Sequence, residues 1–345
     1  MLKIANLFLT RRCNLTCPYC KLAGGNFALY RYPVDEYKHK SYYLENEITA
    51  ADWIRYIDLL YKHNPDIFFI LYGGEPFMYK GVELILLHLN SKKMNYTIIS
   101  NSTMSKTIMK IANKINGFSG FTISFDPRSM HSMNTTDDKN RYYKGLVGLK
   151  LLEELMSDNL VKDPAAELTI DSENIRFLYD SVKYLSDRNI TSVLSPIDFA
   201  NNRYYDFSNI EPTRLNTFLI PERKIFELEK KKLIADDSLK IHMKDKILDV
   251  IEESLDKNYQ CRIHKDPNNI TIESDGYLRL CARIKGDLVT KLNLDHLTDH
   301  NGNINLNSAI YRLAMTKDKA EMCEGCKWTC VMMSENGSSR DIIDH

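Results

Sequence analysis

Up to residue 196 the chain alternates between short apolar runs and longer segments whose apolar side chains return every three or four positions. The short runs have strand length: LKIANLFLT at 2–10, then 67–72, 95–100, 120–125, 166–170 and 190–196. Helical periodicity lies between them, in ITAADWIRYIDLLYKH at 48–63 and at 80–92, 105–116, 141–156 and 173–188. Thr49 is placed to cap the first of these helices, with Ile54, Ile57, Leu60 and Tyr61 on its apolar face. Strands separated by helices predict a mainly parallel sheet with right-handed crossovers. The six strands fall two short of a closed eight-stranded barrel. The economical α/β solution is an open, partial (β/α)6 TIM-like barrel.

Beyond the sixth strand the pattern changes. Residues 197–216 are a polar and aromatic connection, and helices are expected at 217–233 and 239–257; the EKKK run at 229–232 reads as a solvated helix face. NITIESDGYLRLC then alternates as a β-hairpin turning at Ser274, Asp275 and Gly276. The expected organisation is a barrel at 1–215, a helical connection at 216–258 and a small α+β domain at 259–345. Residues 24–46 form a tyrosine-rich polar insertion, read either as a lid or as a solvent-facing loop whose tyrosines pack on the barrel edge.

Composition narrows the function classes. The 345 residues carry 46 basic and 46 acidic side chains, so no net field draws in a polyanion, and nucleic acid is not the expected partner. The longest apolar run, IFFILY, is strand-sized rather than membrane-spanning, and the N-terminal segment lacks the small-residue cleavage site of a signal peptide. A soluble cytoplasmic protein, with no membrane partner, is the expectation. A chain of this length needs no cystine staples, and reducing cytosol opposes them. The eight cysteines therefore call for another explanation.

None of them is isolated. Cys13, Cys17 and Cys20 form CNLTCPYC directly after the first strand; Cys261 and Cys281 flank the hairpin region; Cys323, Cys326 and Cys330 lie in CEGCKWTC. Three thiolates so close in one loop can reach three irons of a cuboidal [4Fe–4S] cluster and leave the fourth iron open to a small molecule. Zinc and plain thiols are the competing readings, although a closed structural zinc site more often uses paired C-x2-C hooks. Gly73-Gly74-Glu75-Pro76 follows the strand IFFILY. It is either an ordinary strand-to-helix turn or a place where the backbone approaches a ligand and carbonyls with the Glu75 carboxylate accept from an ammonium group.

With CxxxCxxC, Tyr19 just before the last cysteine, and GGEP at a later strand end, the chain resembles the radical S-adenosylmethionine enzymes. The resemblance implies that Cys13, Cys17 and Cys20 hold a [4Fe–4S] cluster whose open iron chelates S-adenosyl-L-methionine, and that Gly73, Gly74, Glu75 and Pro76 meet its amino group. Ser100 and Asn101 in NYTIISNS, and Ser124 and Asp126 in GFTISFD, resemble family positions that bind the carboxylate and ribose hydroxyls. This chain has SNS where a T-N-G-like sequence is common, and a turn or capping role for Asp126 is the alternative. Arg128 is read as a partner of a cofactor or substrate carboxylate, or as a surface ion pair. Arg128, His131, Tyr204 and Tyr205 are candidates for the barrel mouth, with a structural or surface-exposed role the alternative for each, and no catalytic acid or base is singled out.

The C-terminal part resembles the twitch and SPASM auxiliary domains. Cys261, Gly276 and Cys281 match C-x(n)-G-x4-C, and Cys323 with Cys326 matches the later C-x2-C. The resemblance implies one auxiliary [4Fe–4S] cluster, with zinc the competing metal. Five cysteines cannot supply the roughly seven of a full two-cluster SPASM domain. Cys330 is the departure, either replacing Cys326 or serving otherwise. The implied activity is reductive cleavage of S-adenosylmethionine to a 5′-deoxyadenosyl radical that abstracts substrate hydrogen, with a low-potential donor such as flavodoxin or ferredoxin as partner. Two substrate classes follow: a peptide or protein side chain that is oxidised, crosslinked or epimerised, or a small metabolite such as a sugar, nucleoside or antibiotic precursor that is dehydrogenated or rearranged. A non-catalytic iron–sulfur binding protein is the remaining reading.

Overall fold

A computed structural model describes residues 2–15, 46–130, 139–170, 174–196, 223–254, 269–279 and 293–305. In chain order these residues contain β1 (Ile4–Phe8), α1 (Ala50–His63), β2 (Phe68–Tyr72), α2 (Val82–Ser91), β3 (Tyr96–Ser100), α3 (Ser105–Ile115) and β4 (Phe118–Phe125). They continue with α4 (Lys139–Ser157), β5 (Val161–Ile170), α5 (Leu178–Ser186), β6 (Thr191–Pro196), α6 (Arg223–Ala235), α7 (Lys244–Ser254), β7 (Asn269–Ile272) and β8 (Leu278–Arg279). Seven parallel strands with their helices make an α/β half-barrel of TIM-like kind. Among the described residues no helix is long and apolar enough to cross a membrane. The insertion at 24–45 and the connection at 197–216 lie outside the described residues.

The chain divides into two compact units, Met1–Ile98 with Gln260–Glu324 and Ile99–Tyr259 with Gly325–His345. In the first, the strand order is β3-β2-β1-β7-β8. β1 pairs in parallel with β2, Ile4 opposite Phe68, and on its other side with β7, Ile4 opposite Asn269. The hairpin expected at 269–281 therefore also supplies a seventh parallel strand. Its alternation signals the local turn but carries no information on which strand will take its outer edge. The turn itself forms as expected, with Gly276 at φ +83° and its amide donating to the Glu273 carbonyl at 2.8 Å.

Helix α1 starts where a cap is expected. The Thr49 hydroxyl accepts from the Asp52 amide, and the Asp52 carboxylate accepts from the Thr49 amide. The buried face is Trp53, Tyr56, Ile57 and Leu60, rotated from the expected one, with Trp53 and Tyr56 in place of Ile54 and Tyr61. At its end, buried Asn64 donates from its side chain to the Leu2 carbonyl at 2.7 Å and accepts from the Asp66 amide at 3.0 Å. One side chain thus ties the end of α1 to the entries of β1 and β2.

In the second unit the order is β6-β5-β4. Phe121, Ile123, Phe125, Ala166 and Leu168 are buried on one face of these strands, and Gly148 of α4 packs close to Ile123. β5 begins at Val161, earlier than expected, because Phe118 of β4 pairs with Val161 and the backbone ladder runs through the polar residues Lys162 and Asp163. α5 begins late, after a 3-10 turn at Ile175–Phe177. α7 also begins late, because the chain before it lies against β6: the Ser192 amide donates to the Lys240 carbonyl at 2.8 Å, and the His242 amide donates to the Ser192 carbonyl at 2.9 Å.

Replacing Asn64 by Ala removes both side-chain bonds at a buried junction and should destabilise the fold by about 1–3 kcal/mol. The check is the denaturant midpoint at unchanged slope; a midpoint equal to that of the parent chain would contradict this account.

Candidate active site

β1 ends at Phe8, and the residues after it run beside the turn that follows β2. The Gly74 amide donates to the Thr10 carbonyl at 2.8 Å, and the Glu75 amide donates to the Arg12 carbonyl at 2.7 Å. This seam explains both glycines. A Cβ on Gly73, whose φ is +155°, would lie 2.5 Å from the Thr10 carbonyl oxygen; one on Gly74 would lie 2.2 Å from the Arg12 oxygen and 3.0 Å from the Cys13 Cβ. The GGEP turn is thus fitted against the strand end that delivers Cys13. Cys13 is partly exposed, and its Sγ accepts from the Leu15 amide at 3.4 Å, a contact suited to a metal-bound thiolate. Cys17, Tyr19 and Cys20 lie outside the described residues.

Glu75 is fully buried, and its carboxylate accepts from the Phe77 amide at 3.2 Å, capping the 3-10 turn Pro76–Met78. Two roles therefore meet in one side chain: it shapes the turn, and it is the carboxylate at the β2 end.

Glu47 was not singled out from the sequence, where it is one acidic residue in a polar stretch. Its carboxylate accepts from the Thr10 hydroxyl and pairs with Arg12 at 2.9 Å, with only 8% of its side chain exposed. Thr10 and Arg12 are the residues whose carbonyls receive the GGEP amides, so Glu47 braces the seam through their side chains. Tyr79 completes the support by donating to the Ile48 carbonyl at 2.7 Å. Burial, followed by the charges of Glu47 and Asp52, pushes the Tyr79 phenol up to about 12, so it remains a donor. A second ion pair, Arg11 to buried Glu273 at 2.6 Å, holds the same strand end to the β7–β8 turn.

The second unit places its candidates at strand ends too. After β3, the buried Ser100 hydroxyl accepts from the Ser102 amide at 2.9 Å, and the Asn101 side-chain oxygen accepts from the Thr103 amide at 3.0 Å. Ser102 takes φ +59°, the left-handed conformation that glycine favours, at a cost of about 1–2 kcal/mol for a residue with a side chain. The departure from a T-N-G-like sequence therefore leaves the turn conformation in place. After β4, Asp126 and Arg128 are both nearly buried. Arg128 donates through its backbone amide at 2.9 Å and Nε at 3.1 Å to Asp126 Oδ1, and through Nη2 at 2.9 Å to Oδ2. Asn174 reaches the same carboxylate at 3.2 Å and the Thr169 carbonyl at 2.8 Å. Asp126 thus organises the turns after β4 and β5, and Arg128 pairs inside the protein rather than on its surface. Ser124 is exposed on the opposite face of β4 from Ile123 and Phe125.

His131, Tyr204, Tyr205, Cys261, Cys281, Cys323, Cys326 and Cys330 lie outside the described residues.

A parallel half-barrel that sets a thiol at one strand end and a Gly-Gly-Glu-Pro turn against it is the frame of a ligand-binding α/β enzyme. Residues 7–146 match the Radical SAM superfamily model, so this stretch has the character of a radical SAM domain. That family implies a [4Fe–4S] cluster and S-adenosylmethionine. The described residues fit them: a thiol with an amide aimed at its sulfur, and a buried carboxylate beside it in the seam. No curated protein matches the chain in sequence. Among solved structures it is similar to Streptococcus suis SuiB bound to S-adenosylmethionine, at 16% identity and TM-score 0.56, over 94% of this chain and 67% of that one. It is also similar to SuiB bound to the precursor peptide SuiA, at 14% identity and TM-score 0.53, over 100% of this chain and 73% of that one. At these identities the likeness is one of fold.

Gly74→Ala should prevent the seam from closing, and iron uptake on anaerobic reconstitution should fall by about half or more, since a methyl group has no space between Arg12 and Cys13. Glu47→Gln should lower stability by about 1–3 kcal/mol, with partial recovery in Glu47→Asp. Iron content and thermal unfolding of the variants provide both readings.

Proposed function

We propose that this protein cleaves S-adenosylmethionine reductively and uses the resulting 5′-deoxyadenosyl radical to abstract hydrogen from a peptide or protein side chain, which is then oxidised, crosslinked or epimerised. The observation that carries this reading is the Cys13 strand end packed on the GGEP turn within a stretch matching the radical SAM family. The peptide class draws support from the fold likeness to SuiB bound to precursor peptide SuiA.

In this reading Cys13, Cys17 and Cys20 hold the cluster that supplies one electron, delivered by a flavodoxin or ferredoxin in the cytoplasm. Gly73 to Pro76, Ser100, Asn101, Ser124 and Asp126 hold and orient S-adenosylmethionine. Hydrogen abstraction leaves one unpaired electron on the substrate, so a two-electron oxidation requires an acceptor. Cys261, Cys281 and Cys323 with Cys326 or Cys330 would hold an auxiliary cluster, which would supply such an acceptor.

The test is anaerobic reconstitution with dithionite and S-adenosylmethionine, with 5′-deoxyadenosine followed by mass spectrometry. Product is expected from the parent chain and none from Cys13→Ala; a fully loaded parent chain that forms none overturns the reading. Iron and sulfide at about eight each per chain support two clusters, and about four with one zinc overturns the auxiliary assignment.

A further inference from the structure

The second unit carries a carboxyl group that the proposed chemistry leaves without a task. Register places it securely. Ser124 of β4 pairs with Glu167 of β5, and Glu167 pairs with Val193 of β6; Thr169 pairs with Ser195 one step further along. The adjacent positions Ile123, Phe125, Ala166 and Leu168 are buried on the opposite face. Because strand side chains alternate, Ser124, Glu167, Thr169 and Ser195 share the other face. That face sets the Glu167 carboxyl among the hydroxyl-bearing Ser124, Thr169 and Ser195, with Val193 directly beside it on β6.

Ser124 is exposed, and Glu167, Thr169 and Ser195 each keep part of their surface accessible. Glu167 is nevertheless deeply set. Burial pushes its carboxyl above the ordinary range, and the Ser195 hydroxyl, hydrogen-bonded to it, pulls in the other direction. Among the described residues no charged group adds to that balance. A carboxyl desolvated this far, with a hydroxyl as its side-chain partner, is poorly compensated. It gains most from a ligand that brings a positive charge and more than one donor.

We propose that Glu167, hydrogen-bonded by Ser195, forms a subsite that receives a cationic side chain, an ammonium or a guanidinium, of the peptide substrate. This rests on the peptide-modifying reading above and narrows it: the substrate carries a basic residue near the position that reacts. Glu167 is here a specificity-determining residue and takes no part in bond breaking. Asp126 lies one step beyond the same strand end, but its carboxylate is already matched by Arg128 and Asn174, which leaves Glu167 as the acceptor in need of a cation.

The test uses the full-length, cluster-loaded protein and two probes of similar shape, N-acetyl-lysine N-methylamide and its uncharged counterpart N-acetyl-norleucine N-methylamide, with binding read by saturation-transfer NMR. The parent chain should favour the lysine probe by about tenfold or more, and Glu167→Gln should bind the two alike. Equal binding by the parent chain, or an undiminished preference in Glu167→Gln, overturns the proposal. Should that variant fold poorly, Ser195→Lys keeps Glu167 and supplies a cation from the neighbouring strand; it should abolish the preference, and a preference that persists overturns the proposal.

S-adenosylmethionine also carries an ammonium group, so its effect on the electron paramagnetic resonance signal of the reduced cluster is measured in Glu167→Gln. An unchanged perturbation is expected; its loss while the lysine preference persists assigns the carboxyl to the cofactor and overturns the proposal. The two readings fail separately. A chain that forms 5′-deoxyadenosine but ignores probe charge sinks the subsite alone, whereas one that prefers the lysine probe yet forms no 5′-deoxyadenosine sinks the radical chemistry alone.

Discussion

Two backbone hydrogen bonds, Gly74 to Thr10 and Glu75 to Arg12, set the terms for the first unit. They continue the β1–β2 pairing past the last residues of both strands, into a region where loops would otherwise diverge. Because amides and carbonyls must meet directly, no side chain fits between them, and two successive glycines are required for steric reasons before any ligand is considered. Everything else nearby serves that approach. Glu47 grips Thr10 and Arg12 through their side chains, Arg11 reaches Glu273 in the β7–β8 turn, and Tyr79 fastens the segment that carries Glu47. Cys13 emerges from the middle of this bracing, so the position of the thiol is inherited from the seam.

The second unit solves a similar problem by side-chain chemistry. Its strands also end in turns that carry polar residues, but here a buried carboxylate gathers them. Asp126 accepts from Arg128 in its own turn and from Asn174 in the next. A buried pair of this kind tolerates little change, since removing either member strands the other without a partner. The turn after β3 accepts strain at Ser102 instead. Rigid strand ends of this sort suit a site that must hold a small cofactor in one orientation.

Much of the frame could be read from residue order because it depends on period. Strands β2, β3 and β6 and helices α2, α3 and α4 fall within a residue or two of the expected ranges, and Thr49 caps α1 as its position suggests. What escaped depends on partners distant in sequence. Nothing in NITI reveals that β7 will lie beside β1, and the polar start of β5 is a strand only because β4 offers it a ladder. In the site, Cys13 and GGEP were visible as spacing and composition. Glu47, Asn174 and Glu167 were not, because an acidic or amide side chain in a polar stretch acquires meaning only from the groups it meets after folding.

The contact between β6 and residues 240–242 reaches beyond the site. A parallel strand at the rim of an unclosed barrel presents unpaired amides and carbonyls, which favour pairing with a second copy of the chain. Here the backbone around Ile241 occupies part of that rim, and the Ser186 hydroxyl accepts from the Lys240 amide at 2.8 Å to keep it there. A fragment cut at the last barrel strand would bare this edge and invite self-association. A piece meant to keep this edge covered must therefore run past His242, which makes the middle of the helical connection a working part of the barrel.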